Sequence, residues 1–200
     1  LALLHEAQSK FRLHLSEMTD IEYRKEMERL GIDLSWKSSQ IEGNTYSLLE
    51  TERLLKEKQT ANGKTKEEAV MLLNHKDALD FILDVPDYLK EISLTRIEEI
   101  HALLVKELGV ERHIRHRRVG ITGTNYQPLD NEFQIREALE DSCQLINGKN
   151  EVFEKALLAL VLLSYIQAFS DGNKRTARII SNGILIAYGY CPISFRSVDS

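Results

Sequence analysis

The residues best suited to chemistry lie in one short polar segment, residues 168–178. Asp171 and Gly172 stand just before a predicted helix whose first turns carry Arg175 and Arg178. A glycine-containing loop that opens a helix offers free backbone N–H groups and the positive end of the helix dipole, and both attract anions. Arginines three residues apart share one helix face, and their planar guanidinium groups suit phosphate oxygens. Because Asp171 could hold a divalent cation beside those oxygens, the segment predicts a nucleotide-phosphate site with a metal ligand.

Helices on both sides must hold this segment in place. Residues 152–166 are almost wholly apolar, which predicts a central buried helix, and a second helix is predicted over 174–188. Capping boxes and glycine stop signals predict further helices; these cover 1–30 (one or two helices, the second starting near Thr19 and Asp20), 34–42, 48–57, 66–83, 95–108 and 131–146. Gly31 is expected to end the helix that precedes it. Together with a single short β-hairpin predicted over residues 119–128, this pattern of helices predicts an all-α domain.

Composition indicates a soluble globular chain. The 42% hydrophobic and 28% charged fractions of the 200 residues are ordinary for such proteins. The net charge of −5 weighs against direct nucleic-acid binding. No apolar run approaches the roughly 18 residues that a membrane span needs, and the start lacks the pattern of a signal peptide. We therefore expect a cytoplasmic protein with no membrane partner, and its two cysteines imply no disulfide scaffold.

The segment 167–178 resembles the signature of the Fic (Fido) family, H-x-F-x-[D/E]-G-N-[G/K]-R-x-x-R. The positions that match in identity and spacing are Phe169, Asp171, Gly172, Asn173, Arg175 and Arg178. The resemblance implies a Fic-type helical bundle that transfers AMP from ATP to a hydroxyl side chain of a target protein. It also implies ATP and Mg²⁺ as cofactors, and a homodimer by analogy.

The resemblance assigns a role to each matched polar residue. Asp171 would bind Mg²⁺ that bridges the nucleotide phosphates. The backbone N–H groups around Gly172, Asn173 and Lys174 would form the anion hole. Arg175 and Arg178 would hold the β- and γ-phosphates.

The first position of the signature differs from the family pattern. The family has a catalytic His there, which accepts the proton of the target hydroxyl, whereas this chain has Gln167. A glutamine amide has no usable basicity near neutral pH, and losing a general base costs about 10²–10⁴ in rate. The chain is thus either an impaired adenylyltransferase or an inactive nucleotide-binding or protein-interaction module. A kinase-like transferase that uses Lys174 is a third reading.

A second resemblance lies upstream, in residues 38–44. Ser38, Glu42 and Gly43 match the inhibitory helix [S/T]-x-x-x-E-[G/N] of Fic proteins, here expected over about 34–43. The implied mechanism is a bidentate salt bridge from Glu42 to Arg178 that keeps this arginine from the γ-phosphate. The alternative is a solvated glutamate before a helix stop. The chain then divides into an N-terminal helical region, 1–62, and a Fic core domain, 63–200.

Residues 119–128 predict a short β-hairpin, since they are β-branched and rich in glycine. In Fic proteins such a flap holds the target segment by strand addition. The residues assigned to it are Gly120, Ile121, Thr122, Gly123 and Tyr126. The alternative is an ordinary surface hairpin.

Overall fold

Eight α-helices and one 3-10 turn follow one another in the computed structural model, which describes residues 1–120 and 124–194. They are α1 (Ala2–Ser16), α2 (Asp20–Ile41), α3 (Leu48–Glu57), α4 (Lys66–Asp84), the 3-10 turn Pro86–Leu89, α5 (Leu94–Leu104), α6 (Glu132–Asn147), α7 (Val152–Ile166) and α8 (Asn173–Ala187). No strand occurs in those described ranges. The all-α fold class is therefore confirmed. Among the same residues, no helix is both long and apolar enough to cross a membrane.

Local sequence explains where several helices begin. Thr19, Ser47 and Thr65 each cap a helix whose third residue is a glutamate, and each pair forms both bonds of a capping box. Asn131 caps α6 by accepting from the backbone N–H groups of Phe133 and Gln134. These caps satisfy backbone donors that a helix start leaves free.

The helix at the centre of the fold is α8 rather than the more apolar α7. Residues of α8 are buried around nearly its whole circumference, and it packs against α7, α5, α4 and the 3-10 turn. One face of α7 remains open, with Leu157, Val161 and Tyr165 more than half exposed. The small residues Ser181 and Gly183 let neighbouring elements approach α8 closely. Hydropathy does not measure side-chain size, so it could not indicate that α8 is the central helix.

Gly31 does not end a helix, contrary to the prediction, because α2 runs through it without a break. The glycine serves packing instead. A Cβ placed there would lie 3.3 Å from Cε of Lys76 on α4. Its absence therefore lets α2 and α4 lie close together, and the single long helix carries residues 34–41 to the phosphate site.

The described residues of the predicted hairpin form no strand. The carbonyl groups of Arg117 and Leu129, one on each side of it, accept hydrogen bonds from the buried side chain of Arg115. These carbonyls are therefore held by a side chain rather than by a partner strand. Three of the residues assigned to the flap, Ile121, Thr122 and Gly123, lie outside the described ranges.

Candidate nucleotide-phosphate site

The loop between α7 and α8 turns sharply at both of its ends. Gln167 ends α7 in the left-handed conformation, with φ 51° and ψ 54°. Gly172 precedes α8 with φ 79°, and a Cβ there would lie 3.1 Å from Cγ1 of Val105. Both the conformation and the space at position 172 therefore require glycine.

Two carbonyl groups of this loop accept hydrogen bonds from side chains at the start of α8. The Asn173 side chain donates to the carbonyl of Phe169 at 2.7 Å and accepts from its N–H at 2.8 Å. Thr176 Oγ1 donates to the carbonyl of Gly172 at 2.9 Å. The backbone N–H groups of Gly172, Asn173 and Lys174 bond to none of the residues that the structure describes. These groups point from a helix N-terminus, so the predicted anion hole is available to a ligand.

His101 supports the loop from below. Its ring stacks on Phe169 with centroids 3.7 Å apart, and its Nε2 lies 2.9 Å from the carbonyl oxygen of Asp171. Burial lowers the pKa of His101, so the ring is neutral and carries its proton on Nε2, where it donates to that carbonyl. The contact joins residues seventy positions apart, and sequence patterns gave no signal of it.

Arg175 is a buried cation with unused donors. Its Nη2 donates to Oδ2 of Asp171 at 2.8 Å, but its Nε and Nη1 have no partner within residues 1–120 and 124–194. Only 2% of Arg175 is exposed. Because a buried donor without a partner costs about 1–3 kcal/mol, this arrangement suits an anion that accepts from it.

Asp171 is a partial metal site at most. Its carboxylate is mostly exposed, and no cluster of three metal-ligating side chains exists among the described residues. Mg²⁺ is usually held by one or two carboxylates together with substrate phosphates. The donor set thus fits Mg²⁺ when phosphate oxygens complete the coordination.

Arg178 is engaged by α2 rather than open to a ligand. Its Nε donates to Ser38 Oγ at 2.9 Å, and its Nη2 donates to the Ser38 carbonyl at 3.1 Å and to Glu42 Oε1 at 2.8 Å. The pairing of Glu42 with Arg178 is therefore present. The predicted bidentate geometry is wrong. Only Nη2 of Arg178 donates to the Glu42 carboxylate, whereas Nε of Arg178 donates to Ser38. Burial lowers the pKa of Arg178, and the charge of Glu42 opposes that effect.

The cleft above the loop has a volume of about 190 Å³. It is lined by Glu42, Val119, Gly120, Gln167, Ser170, Asp171, Gly172, Asn173 and Lys174. Sites for drug-sized ligands usually measure about 300–1,000 Å³. Glu42 forms part of the wall, and Gly43 beyond it turns the chain away with φ 90°. The cleft is therefore narrowed from the side of α2.

Gln167 lies in the cleft wall but its amide is turned back. Its Nε2 donates to the carbonyl of Ser164 at 2.6 Å, in the last turn of α7. The remaining amide oxygen can accept a hydrogen bond but cannot take up a proton near neutral pH. No histidine is among the described residues that line the cleft.

Two described residues of the flap segment approach this region. Gly120 lines the cleft, and Tyr126 stacks on Tyr165 of α7 with centroids 4.1 Å apart. Burial raises the pKa of Tyr126 to about 12, with the hydrogen bond to Tyr165 adding to the effect. The flap segment is thus fastened to the outer face of α7.

The fold and the site are similar to those of Fic domains. Residues 91–185 match the model of the Fic/DOC family. A solved structure of Fic-1 from C. elegans is 25% identical and superposes with a TM-score of 0.81 over 97% of this chain and 58% of its own. A Fic domain containing signaling protein from Bacteroides thetaiotaomicron has the same fold, with a TM-score of 0.82 at 21% identity, over 96% of this chain and 75% of its own.

Two related proteins bear the name protein adenylyltransferase. The chain is 29% identical to Protein adenylyltransferase Fic of Nematostella vectensis over 82% of its length and 39% of the relative's. It is 27% identical to Protein adenylyltransferase fic-1 of Caenorhabditis elegans over 95% of its length and 38% of the relative's. The chain thus spans about two fifths of the length of the curated relatives it matches.

Proposed function

We propose that the chain carries the site of a Fic-type protein adenylyltransferase, inhibited by Glu42 and impaired by Gln167. The observation that carries the proposal is Arg175, a buried guanidinium with two unpartnered donors beside a free helix N-terminus. The names of the related proteins point to the same reaction class. In this proposal residues 1–62 are the regulatory region and 63–200 the core.

The reaction would move the AMP group of ATP to a side-chain hydroxyl. The hydroxyl oxygen attacks the α-phosphorus, the bond to the oxygen that bridges to the β-phosphate breaks, and pyrophosphate leaves. Arg175 and the amides of 172–174 hold the phosphates, while Mg²⁺ bound by Asp171 would neutralise their charge. The hydroxyl proton needs an acceptor, and Gln167 cannot serve as one.

Inhibition would follow from competition for Arg178. The γ-phosphate and Glu42 are both anions, and the Nη2 that would serve the phosphate donates to Glu42. Release of Glu42 frees this donor and widens the cleft that its side chain lines. The flap segment 119–128 would present the target hydroxyl to the opposite side of the cleft.

The inhibitory contact is tested by ATP–Mg²⁺ affinity. We expect Glu42→Gly to bind ATP more tightly by about tenfold, since a hydrogen bond to a charged group is worth about 1.5–3 kcal/mol. Isothermal titration calorimetry measures the change. Glu57→Gly is the matched control, because it removes an exposed carboxylate at the end of α3. Unchanged or weaker affinity in Glu42→Gly would refute the competition.

The catalytic proposal is tested by restoring a base. The double variant Gln167→His/Glu42→Gly should transfer labelled AMP from ATP to itself or to a partner protein, at a rate about 10²–10⁴ above Glu42→Gly alone. Absence of transfer from the double variant would contradict the enzyme reading.

The second candidate is a nucleotide-binding or protein-interaction module without catalysis. It is favoured by the amide of Gln167, which is bonded to Ser164 and leaves no base at the cleft. ATP binding without transfer, even in the double variant, is its expected result. The kinase-like role of Lys174, the homodimer and the cytoplasmic location remain predictions.

A further inference from the structure

Arg115 joins three segments of the chain from a fully buried position. Its exposed fraction is 0%. Its Nε donates to the carbonyl of Gln167 at 2.6 Å, its Nη1 to that of Arg117 at 2.8 Å, and its Nη2 to that of Leu129. Its own backbone N–H donates to the carbonyl of Ala168 at 3.0 Å. Arg115 therefore contacts the phosphate loop and also Arg117 and Leu129, which lie on either side of the flap segment 119–128.

Arg115 forms no direct ion pair among the described residues, and the carboxylate of Asp130 acts on its charge only from a distance. Burial lowers its pKa, and the carbonyl dipoles compensate for the lost hydration. An apolar side chain would be cheaper to bury at this position. The guanidinium instead supplies a rigid planar fork that holds three carbonyls at fixed spacing.

Other contacts that hold the flap segment include the stacking of Tyr126 on Tyr165 and two ion pairs at the surface. Arg118 pairs with Asp130 at 2.8 Å, and His116 lies 3.1 Å from Glu132. The basic residue of each pair, Arg118 or His116, is largely exposed. Exposed ion pairs contribute little, typically about 0–1 kcal/mol. The hydrogen bonds of Arg115 are buried, and one of them is made directly to the phosphate loop.

We propose that Arg115 is a positioning residue that sets the distance between the protein target held by the flap segment and the nucleotide held by the α7–α8 loop. The inference rests on the proposed function for the identity of these two substrates. The phosphate loop does not depend on Arg115 alone, because His101 and Asn173 hold the carbonyls of Asp171 and Phe169. Loss of Arg115 should therefore release the flap segment and leave nucleotide binding largely intact.

Two acceptors for AMP distinguish positioning from general damage. In one route a protein hydroxyl attacks the α-phosphorus and in the other a water molecule does. Pyrophosphate leaves in both, and the acceptor's proton passes to the imidazole of the Gln167→His variant. Only the protein route needs the flap segment. The rate of AMP transfer to protein, divided by the rate of free AMP release, therefore reports how well the target is placed.

The first test adds Arg115→Met or Arg115→Lys to Gln167→His/Glu42→Gly. We expect ATP affinity within about threefold of the parent by calorimetry and transfer to protein reduced at least about tenfold relative to free AMP release, with Lys recovering part of the loss. Arg53→Met, which removes an exposed guanidinium on α3, is the control and should leave the ratio unchanged. An equal fall of both routes, or an unchanged ratio in Arg115→Met, would overturn the proposal.

A second measurement does not depend on catalysis, and it can be made even if the Arg115→Met variant does not fold. In Arg115→Lys, made in the otherwise native chain, tryptic cleavage after Arg117 and Arg118 should become at least about tenfold faster, while cleavage within α7 and α8 stays as slow as before. Uniform acceleration along the chain, or none, would refute the positioning role. Failure of the proposed function would appear separately, as absence of ATP binding in Glu42→Gly.

Discussion

At the scale of single residues, His75 shows how the charges of the phosphate site act beyond it. The ring is completely buried on α4, with Nδ1 3.2 Å from Ser35 Oγ and with no partner for Nε2 among the described residues. Burial, then the charges of Arg178 and Arg175, lower the pKa of His75 to about 3. The folded protein therefore keeps this histidine neutral throughout the physiological range.

His75 should make folding stability depend on pH. The unfolded chain protonates a histidine near pH 6.5, whereas the folded chain does so only near 3, so stability falls as pH drops through this interval. The slope from this group approaches about 1.4 kcal/mol per pH unit. We expect His75→Leu to remove that slope between pH 6.5 and 5 in chemical unfolding series.

The exposed His113 provides the control for this measurement. His113→Leu should leave the slope as it is. A slope that is the same in His75→Leu and in the unmodified protein would show that His75 is not the responsible group.

The polar residues of the site could be found from sequence because they are neighbours in it. Asp171, Gly172 and Arg175 fall within one helical turn of each other, so their spacing alone indicates an anion site. His101 and Arg115 could not be found in the same way. Their contacts with the loop span 70 and 52 residues, and a single arginine or histidine in such a place has no pattern around it.

At the scale of elements, the last turns of α2 meet the phosphate site through a polar face. Ser35, Ser38, Ser39 and Glu42 recur at helical spacing, and the three serines are buried. Ser39 Oγ finds no partner in the described ranges. Because this face buries little apolar surface, moving the end of α2 away from α8 costs less than separating two apolar faces. The contact is suited to a regulatory segment.

Two glycines inside helices should respond to alanine in opposite directions. At Gly31 the nearest atom to a new Cβ is Cε of Lys76, 3.3 Å away at the flexible end of a side chain. The gain in helix propensity, up to about 1 kcal/mol, should then prevail. At Gly183 the new Cβ would lie 2.2 Å from Cδ1 of the buried Leu89. Overpacking there should cost about 1–3 kcal/mol.

Denaturant unfolding of Gly31→Ala and Gly183→Ala measures both free energies. The pair controls itself, since the chemical change is identical and only the surroundings differ. Destabilisation by Gly31→Ala would mean that Lys76 cannot move aside, and a neutral Gly183→Ala would mean that Leu89 can.

Element boundaries were predictable where local chemistry decides them. The capping boxes of Ser47 and Thr65 and the apolar run of α7 placed their helices well. The prediction failed at Gly31, where a glycine that ordinarily signals a helix end is retained for contact with α4. It failed again in the described part of the flap segment, where no strand forms and the flanking carbonyls of Arg117 and Leu129 accept from the side chain of Arg115.

At the scale of the whole molecule, α1 is fastened to the far end of α8 through Gln8. This side chain is 6% exposed, donates to the carbonyl of Gly189 at 2.7 Å and accepts from the N–H of Cys191 at 3.0 Å. Much of the remaining surface of α1 is exposed, including Leu3 and Leu13. The first helix is therefore held beside the main core by Gln8, together with contacts of His5 with Phe153 and of Arg12 with Tyr190.

Gln8→Ala should loosen α1 without unfolding the core. Two backbone groups would lose a buried partner, at about 1–3 kcal/mol each, and this loss falls on a segment that can open alone. We expect faster tryptic cleavage after Lys10 and Arg12 with little change in the main thermal transition. Gln144→Ala, at an exposed site on α6, should change neither. A large drop in the main transition of Gln8→Ala would show instead that α1 is part of the core.

Glu42 reaches Arg178 from within the same chain, 136 residues away in sequence. If Glu42 competes with the γ-phosphate as proposed, it would act at an effective concentration that the covalent connection sets. That concentration does not change when the protein is diluted or overproduced. Restraint of the site would thus be a fixed property of each molecule, relieved by raising the nucleotide level or by displacing α2, and never by lowering the amount of protein.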